Sequence, residues 1–213
     1  SKEQQNFCLL EPEIYKQVVE SITHSKESLK EVEKDKPEII KLLEASPTLN
    51  ASEISYEEFI LAQMEKLVVN ACINPLTAVM DCENGELLHL EATHRIMKRV
   101  VHESVQCLKA EYTHLSKIDG IEVILDENRL LNRVFEICRL TAKNSSSMRE
   151  DVKNLKPTEL AFINGYISQL GQVHGIPTKT NNLLILLVGD KLRLERKRED
   201  DALAAVLDEV LNL

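Results

Sequence analysis

Apolar residues recur along most of this chain at intervals of three and four, the period of helices buried on one side. Between residues 10 and 46, Ile14, Val18, Val19, Ile22, Leu29 and Val32 follow that spacing among many charges. The pattern breaks at Lys36-Pro37, before a short run of Ile39, Ile40, Leu42 and Leu43. Two surface helices are predicted there. Ser46 to Ser55, with Leu49 and Ile54 flanked by small polar residues, reads as a linker or a lone strand. Ser55 is placed to cap the next helix, with Glu57 and Glu58 in the first turn, where carboxylates suit the positive end of the dipole. Its apolar run reaches Asn74, just before Pro75. After a turn at Glu83-Asn84-Gly85-Glu86, a long amphipathic helix is expected from about Glu91 to Ser116, with Ile96, Val100, Val101, Val105 and Leu108 inward, closed by Asp119-Gly120. Further helices are predicted over 127–143, 157–174, 180–197 and 200–212, with Pro157 in the first turn of the second and Gly175 after its end. The last carries Leu203, Val206, Val210 and Leu213 in one seam. Its default partner is the chain's own core, and a second subunit is the alternative. There is no internal repeat and no low-complexity segment.

Composition narrows this picture. Six glycines among 213 residues are about half the usual share of roughly 7%. That disfavours barrels, propellers and complete nucleotide-binding sheets, so an all-α fold is predicted. Lys and Arg number 26 against 35 Asp and Glu, a net charge of −9, which opposes a polyphosphate partner, and no nucleic-acid partner is expected. The apolar stretches fall short of the roughly 20 residues that span a bilayer, and no membrane partner is expected. The N-terminus shows no apolar signal region. It also lacks an initiating Met, which suggests a chain that begins inside a longer product or after processing. Cysteines at 8, 72, 82, 107 and 138 are odd in number and lack C-x-x-C spacing, so they read as reduced intracellular thiols. His89, His94 and His102 are not spaced as metal ligands, and no metal is expected. Lys191, Arg193, Arg196, Lys197 and Arg198 form a basic run followed at once by Glu199, Asp200 and Asp201, read as a solvated helix end.

Candidate chemistry concentrates in residues 66 to 80. Lys66, Asn70 and Asn74 stand at i, i+4 and i+8, on one stripe of a helix, and every residue between them is apolar. Burying such a stripe costs several kcal/mol unless each group is paired, so one reading is a cleft in which a polar ligand meets them. A partly desolvated Lys there would be a fitting general acid. The other reading is a solvent-facing stripe on an ordinary amphipathic helix. A second cluster, Thr141-Ala142-Lys143-Asn144-Ser145-Ser146-Ser147 before Met148-Arg149-Glu150-Asp151, holds three serines that form a helix start whose hydroxyls and N–H groups can hold a carboxylate, or a Ser there simply caps the helix. Third, Thr158-Glu159 opens Leu160-Ala161-Phe162-Ile163-Asn164-Gly165-Tyr166, where Glu159 is in isolation only a capping acid. His174 before Gly175 is suited to a helix C-terminus.

Taken together, Lys66 to Ala78, Asn84-Gly85-Glu86-Leu87, Asn144 to Met148 with Asp151, Thr158-Glu159 with Ile163-Asn164-Gly165-Tyr166, and His174-Gly175-Ile176-Pro177-Thr178 with Asn181 resemble the C-terminal domain of the ketopantoate reductase family over about residues 57 to 190. The resemblance implies an all-α, multi-helix domain of the 6-phosphogluconate-dehydrogenase-C-terminal-like type over residues 56–213, binding substrate and able to dimerise. Residues 1–55 would be a helical extension, with about 38 to 55 the remnant of a nucleotide-binding domain. It implies NADP(H)-dependent reduction of ketopantoate to pantoate, on the way to pantothenate and coenzyme A, in the cytoplasm or the mitochondrion. By the same resemblance Lys66 is the general acid and Glu159 hydrogen-bonds the new hydroxyl and helps hold the Lys. Asn70, Asn74 and Asn84 line the substrate cleft, Ser147 contacts the substrate carboxylate, and Asp151 matches without an assigned role. The chain has no G-x-G anywhere, so the cofactor is expected on a Rossmann domain that this chain lacks, with no cofactor-binding residue here. The alternatives are a non-catalytic helical interaction module derived from that fold, and a reductase of a related 2-oxo or 3-hydroxy acid.

Overall fold

The computed structural model describes residues 38–49, 51, 56–114 and 121–211, and among them every regular element is a helix. The all-α expectation holds. The chain divides into two units, 1–56 and 57–213. In the first, α1 (Glu38–Glu44) buries none of its residues, and Ile39 and Leu42 face solvent. The other predicted N-terminal helix and the capping Ser55 lie outside the described residues.

The second unit contains α2 (Tyr56–Met80), a 3₁₀ turn Asn84–His89, α3 (Glu91–Glu111), the short α4 (Ile121–Ile124), α5 (Glu127–Leu140), α6 (Ser147–Lys153), a 3₁₀ turn Glu159–Phe162, α7 (Asn164–His174) and α8 (Lys179–Leu211). Helix α3 is central and packs against α5, α7 and α8. It buries Met97, Val100, Val101, Val105 and Leu108, much as the periodicity predicts, although Ile96 is only half-buried. Leu130, Val134 and Cys138 of α5, at i, i+4 and i+8, form a single inward stripe, and Ile167 and Leu170 of α7 and Leu184 and Val188 of α8 complete the core. Caps follow the expected chemistry. Asp126 accepts from the Arg129 N–H at 2.7 Å to start α5, and Gly175, at φ 68°, closes α7 in the left-handed conformation that only glycine adopts without cost.

A buried polar chain ties these helices together. The Glu103 carboxylate, on α3 and only 8% exposed, accepts the backbone N–H groups of Thr180 at 2.8 Å and Asn181 at 3.0 Å, and the Asn181 side-chain amide at 2.7 Å. These are first-turn N–H groups of α8, which have no partner inside their own helix, and the negative charge lies at the positive end of the dipole. Asn181 Oδ1 in turn accepts from Asn164 Nδ2 at 3.0 Å, and the same Nδ2 donates to the Ala71 carbonyl of α2 at 3.0 Å.

Five predicted boundaries move, among them the end of α5, which falls at Leu140 rather than 143. Helix α2 does not stop at Asn74 but runs through Pro75 to Met80. A proline lacks the N–H that its helix needs, and the carbonyl this leaves open, that of Ala71, is met by Asn164 from outside the helix. Helix α3 ends at Glu111. The predicted helix 157–174 is two pieces, since Ile163 (φ −104°, ψ −90°) steps off the helical line and Asn164 restarts it. Conversely 180–197 and 200–212 are one helix. No Gly or Pro stands at the expected break, its Lys, Arg and Glu residues are good helix formers, and Arg198 pairs with Glu195 in the turn that leads into it. Beyond Arg196 every described side chain of α8 is exposed, so Leu203, Val206 and Val210 do not pack on the chain's own core.

The start of α6 is clamped to the end of α2. Arg149 Nε donates to Asp81 Oδ1 at 2.8 Å and its Nη2 to the Asp81 carbonyl at 3.1 Å, with Lys153 also near. The Arg149 hydrogen bond holds the Asp81 carboxyl below the ordinary carboxylate range, aided by the Lys153 charge and opposed by partial burial.

Two measurements probe these ties. Glu103→Gln turns an all-acceptor group into one that also carries an NH₂ facing other donors, and is expected to lower stability by about 2 kcal/mol; an unchanged urea midpoint would contradict the network's importance. Because Asp81 titrates lower in the folded chain than in the unfolded one, its contribution is present above about pH 4 and is lost as pH falls through the native value. Asp81→Asn should therefore make stability fall less steeply with acid below about pH 4, and urea titrations at stepped pH showing the same slope as the parent would refute it.

Candidate functional site

The predicted stripe on α2 lies half in water. Lys66 is exposed together with Ala62 and Gln63, Asn70 is half-buried, and Asn74 is 8% exposed amid the fully enclosed turn Ala71–Ala78. The solvent-facing reading therefore describes the first half of the helix and the buried reading the second. The physical reason is local: Leu61, Met64 and Val68 take the inward face on either side of Lys66, whereas beyond Asn70 the helix is surrounded. Lys66 does not need the compensation that a buried ammonium would require.

At the inner end of the stripe the chain converges. Thr77 Oγ1, one turn past Asn74, lies 2.7 Å from Ser146 Oγ. Ser146 is the N-cap of α6, accepting from the Arg149 N–H at 3.1 Å, so the capping reading of the serine run holds for Ser146. Ser147 is the first residue of α6 and is exposed. Asn84 arrives from the other side. Its backbone N–H donates to the Asn144 carbonyl at 3.1 Å and that of Gly85 to Ala142 at 3.1 Å, while its side-chain amide donates to Thr141 Oγ1 at 2.9 Å. A Cβ on Gly85 would sit 2.7 Å from that of Ala142, so only glycine permits this approach. Asn84 Oδ1 is buried without a partner, an acceptor with unused capacity.

Asn74, Asn84 and Ser147 are thus joined through Thr77, Ser146 and the Thr141–Asn144 segment. Lys66 and Glu159 are not joined to that set. Glu159, first in its 3₁₀ turn, is exposed, and no ion pair between it and Lys66 forms among the described residues. Asp151 is half-buried on α6. Thr77 and Thr141 lie within the motifs singled out in the sequence, but the sequence assigns neither a role, because the signal is weak: a Thr three residues after Asn74 on the same helix, and a Thr just before the serine-rich loop.

Other groups are committed elsewhere. Burial raises the Cys72 thiol, with Cys138 adding to it, and raises Cys138 itself to about 11 and Cys107, beside Glu103, also to about 11; such thiols are poor nucleophiles. A separate cavity of about 340 Å³ lies between the end of α2, α6 and α8. Its cations Arg149, Lys153, Lys191 and Arg198 are each paired with Asp81 or Glu195. It is lined by none of the predicted site residues.

Residues 58–191 match the family model described as the ketopantoate reductase C terminal. The chain is 38% identical over 162 residues to a probable 2-dehydropantoate 2-reductase of Schizosaccharomyces pombe, an alignment covering 76% of this chain and 46% of the relative. In three dimensions it is similar to a probable 2-dehydropantoate 2-reductase from Bacillus subtilis, with a TM-score of 0.53 and 32% identity, covering 65% of this chain and 42% of the other. A further relative, at 24% identity over 68% of this chain and 38% of its own length, is the cytochrome B translational activator CBS2 of Saccharomyces cerevisiae. The chain spans less than half the length of these proteins. With more than half of its residues under one family model and the same helical architecture, the chain belongs to the ketopantoate reductase family and carries its C-terminal domain.

Proposed function

We propose that this chain supplies the substrate-binding half of an NADPH-dependent 2-dehydropantoate 2-reductase, which reduces the ketone of ketopantoate to the hydroxyl of pantoate. The supporting observation is the stripe Lys66, Asn70, Asn74, which descends from open surface to a buried floor and ends on the Thr77–Ser146 pair beneath the start of α6. A 2-oxo acid has two ends to bind. Its carboxylate suits the exposed Ser147 hydroxyl at the start of α6, and its carbonyl oxygen lies toward the Lys end of the stripe. As hydride reaches the carbonyl carbon, negative charge develops on that oxygen. The Lys66 ammonium stabilises this charge and delivers the proton, which leaves a neutral amine and the new hydroxyl. Glu159 accepts a hydrogen bond from that hydroxyl, and Asn70, Asn74 and Asn84 hold the remaining polar groups.

The chain's own residues do not fit a dinucleotide. No strand leads into a glycine-rich turn among the described residues, and the sequence has no G-x-G. Holding NADP(H) is therefore assigned to a Rossmann domain outside this chain, and pairing with a second copy of the chain belongs to the same proposal. Similarity to a translational activator favours a second reading, in which the helical domain serves as an interaction module without catalysis. A soluble compartment, cytoplasm or mitochondrion, suits the first.

The test is a reductase assay on the chain joined to its Rossmann domain. NADPH should be oxidised in the presence of ketopantoate, and Lys66→Ala should lose about 100-fold or more in kcat; an undiminished kcat refutes the general-acid role. The 213-residue chain by itself should show negligible NADPH binding in a fluorescence titration, and tight binding would overturn the division of labour.

A further inference from the structure

Pro75 follows Asn74 directly, in the interior of α2. In an unbroken helix the N–H of residue 75 would bond to the carbonyl of residue 71, and proline has no N–H to give. Ala71 is fully buried, so water cannot take over, and a buried carbonyl without a donor is costly. The missing donor is supplied from another helix. Asn164 Nδ2 lies 3.0 Å from the Ala71 oxygen, and Asn164 is itself fully buried at the first position of α7.

The orientation of this amide is forced. Glu103 can only accept when ionised, so Asn181 turns its NH₂ to Glu103 and its oxygen to Asn164. Asn164 then faces two acceptors, Asn181 Oδ1 and Ala71 O, and spends both amide hydrogens on them. Its own Oδ1 is left buried with no partner. The side chain is thus used as a double donor at the expense of its own acceptor. Ala71 is the residue after Asn70 and three before Asn74, so the carbonyl held in this way lies within the turn that sets where those two amides stand relative to each other.

The geometry points to Asn164 as a positioning residue: it replaces the N–H that Pro75 removes and fixes the turn of α2 that carries Asn70 and Asn74. What those amides bind rests on the substrate reading above. The substitution of one donor for another does not.

The test is a double-mutant cycle in the full chain with Asn164→Leu, Pro75→Ala and both together. Amide hydrogen exchange along α2, the urea midpoint and ketopantoate affinity by calorimetry are the readouts. Asn164→Leu should speed exchange of the amides from Asn70 to Thr77 about tenfold more than those of α3, and weaken ketopantoate by about tenfold. With Ala at 75 the helix regains its own donor, so Asn164→Leu should then cost much less in both; what persists is the lost donor to Asn181. Equal effects in the two backgrounds, or a loss spread evenly over α2, α3 and α8, would overturn the proposal. If Asn164→Leu does not fold and the double variant does, that rescue supports it, and if neither folds it fails. A parent chain that does not bind ketopantoate would remove the substrate reading, while the exchange comparison still decides what Asn164 does.

Discussion

The absent N–H of Pro75 is the constraint around which the second unit is arranged. Proline inside a buried helix leaves a carbonyl that neither water nor the helix can satisfy, and the repair requires an amide from α7, whose orientation requires Asn181 of α8, whose orientation requires the Glu103 carboxylate of α3. One backbone defect thereby recruits a residue from each of three other helices. The bonds are few, but each is buried and directional, and together they hold four helices in one relative placement more specifically than apolar contact does.

That placement matters because the candidate site is not contained in any single element. Its polar groups come from α2, from the Asn84 turn and from the start of α6, and they meet only because Thr77 pairs with Ser146, Asn84 docks on Thr141 and Asn144, and Arg149 grips Asp81. Asn74 and Asn84 are buried with the scaffold, whereas Lys66, Ser147 and Glu159 are exposed. The enclosed members sit in fixed surroundings, and the exposed ones lie where a ligand or a neighbouring domain can reach them. Such a division suits a site completed by a second domain.

Much of this was legible in the sequence. The period of apolar residues located α2, α3 and α5 and most of their inward faces, because one-sided burial leaves a one-sided pattern. The motif string from Lys66 to Ala78 named the family. What failed was punctuation. Pro75 looks like the end of the apolar run because its cost is local and its compensation, Asn164, lies 89 positions away in the chain. The break at Ile163 was missed for the same reason, since nothing in the residues around it signals that Asn164 is wanted elsewhere. The charge run at 191–201 reads as a solvated helix end although it contains no residue that ends a helix. The apolar residues that follow Lys66 suggest a buried cation, but neighbours in sequence lie on different sides of a helix.

The length of α8 has a consequence for how the molecule comes apart. Its first turn is fastened to Glu103, and its last fully buried apolar residue is Val188. From Arg196 to Leu211 it extends through roughly 24 Å with every described side chain in solvent. Helicity in that stretch depends on propensity and on weak surface pairs such as Arg198 with Glu195. One continuous rod therefore belongs to two cooperative units. Its base melts only when the core does, and its tip can fray and reform many times within the lifetime of a single folded molecule.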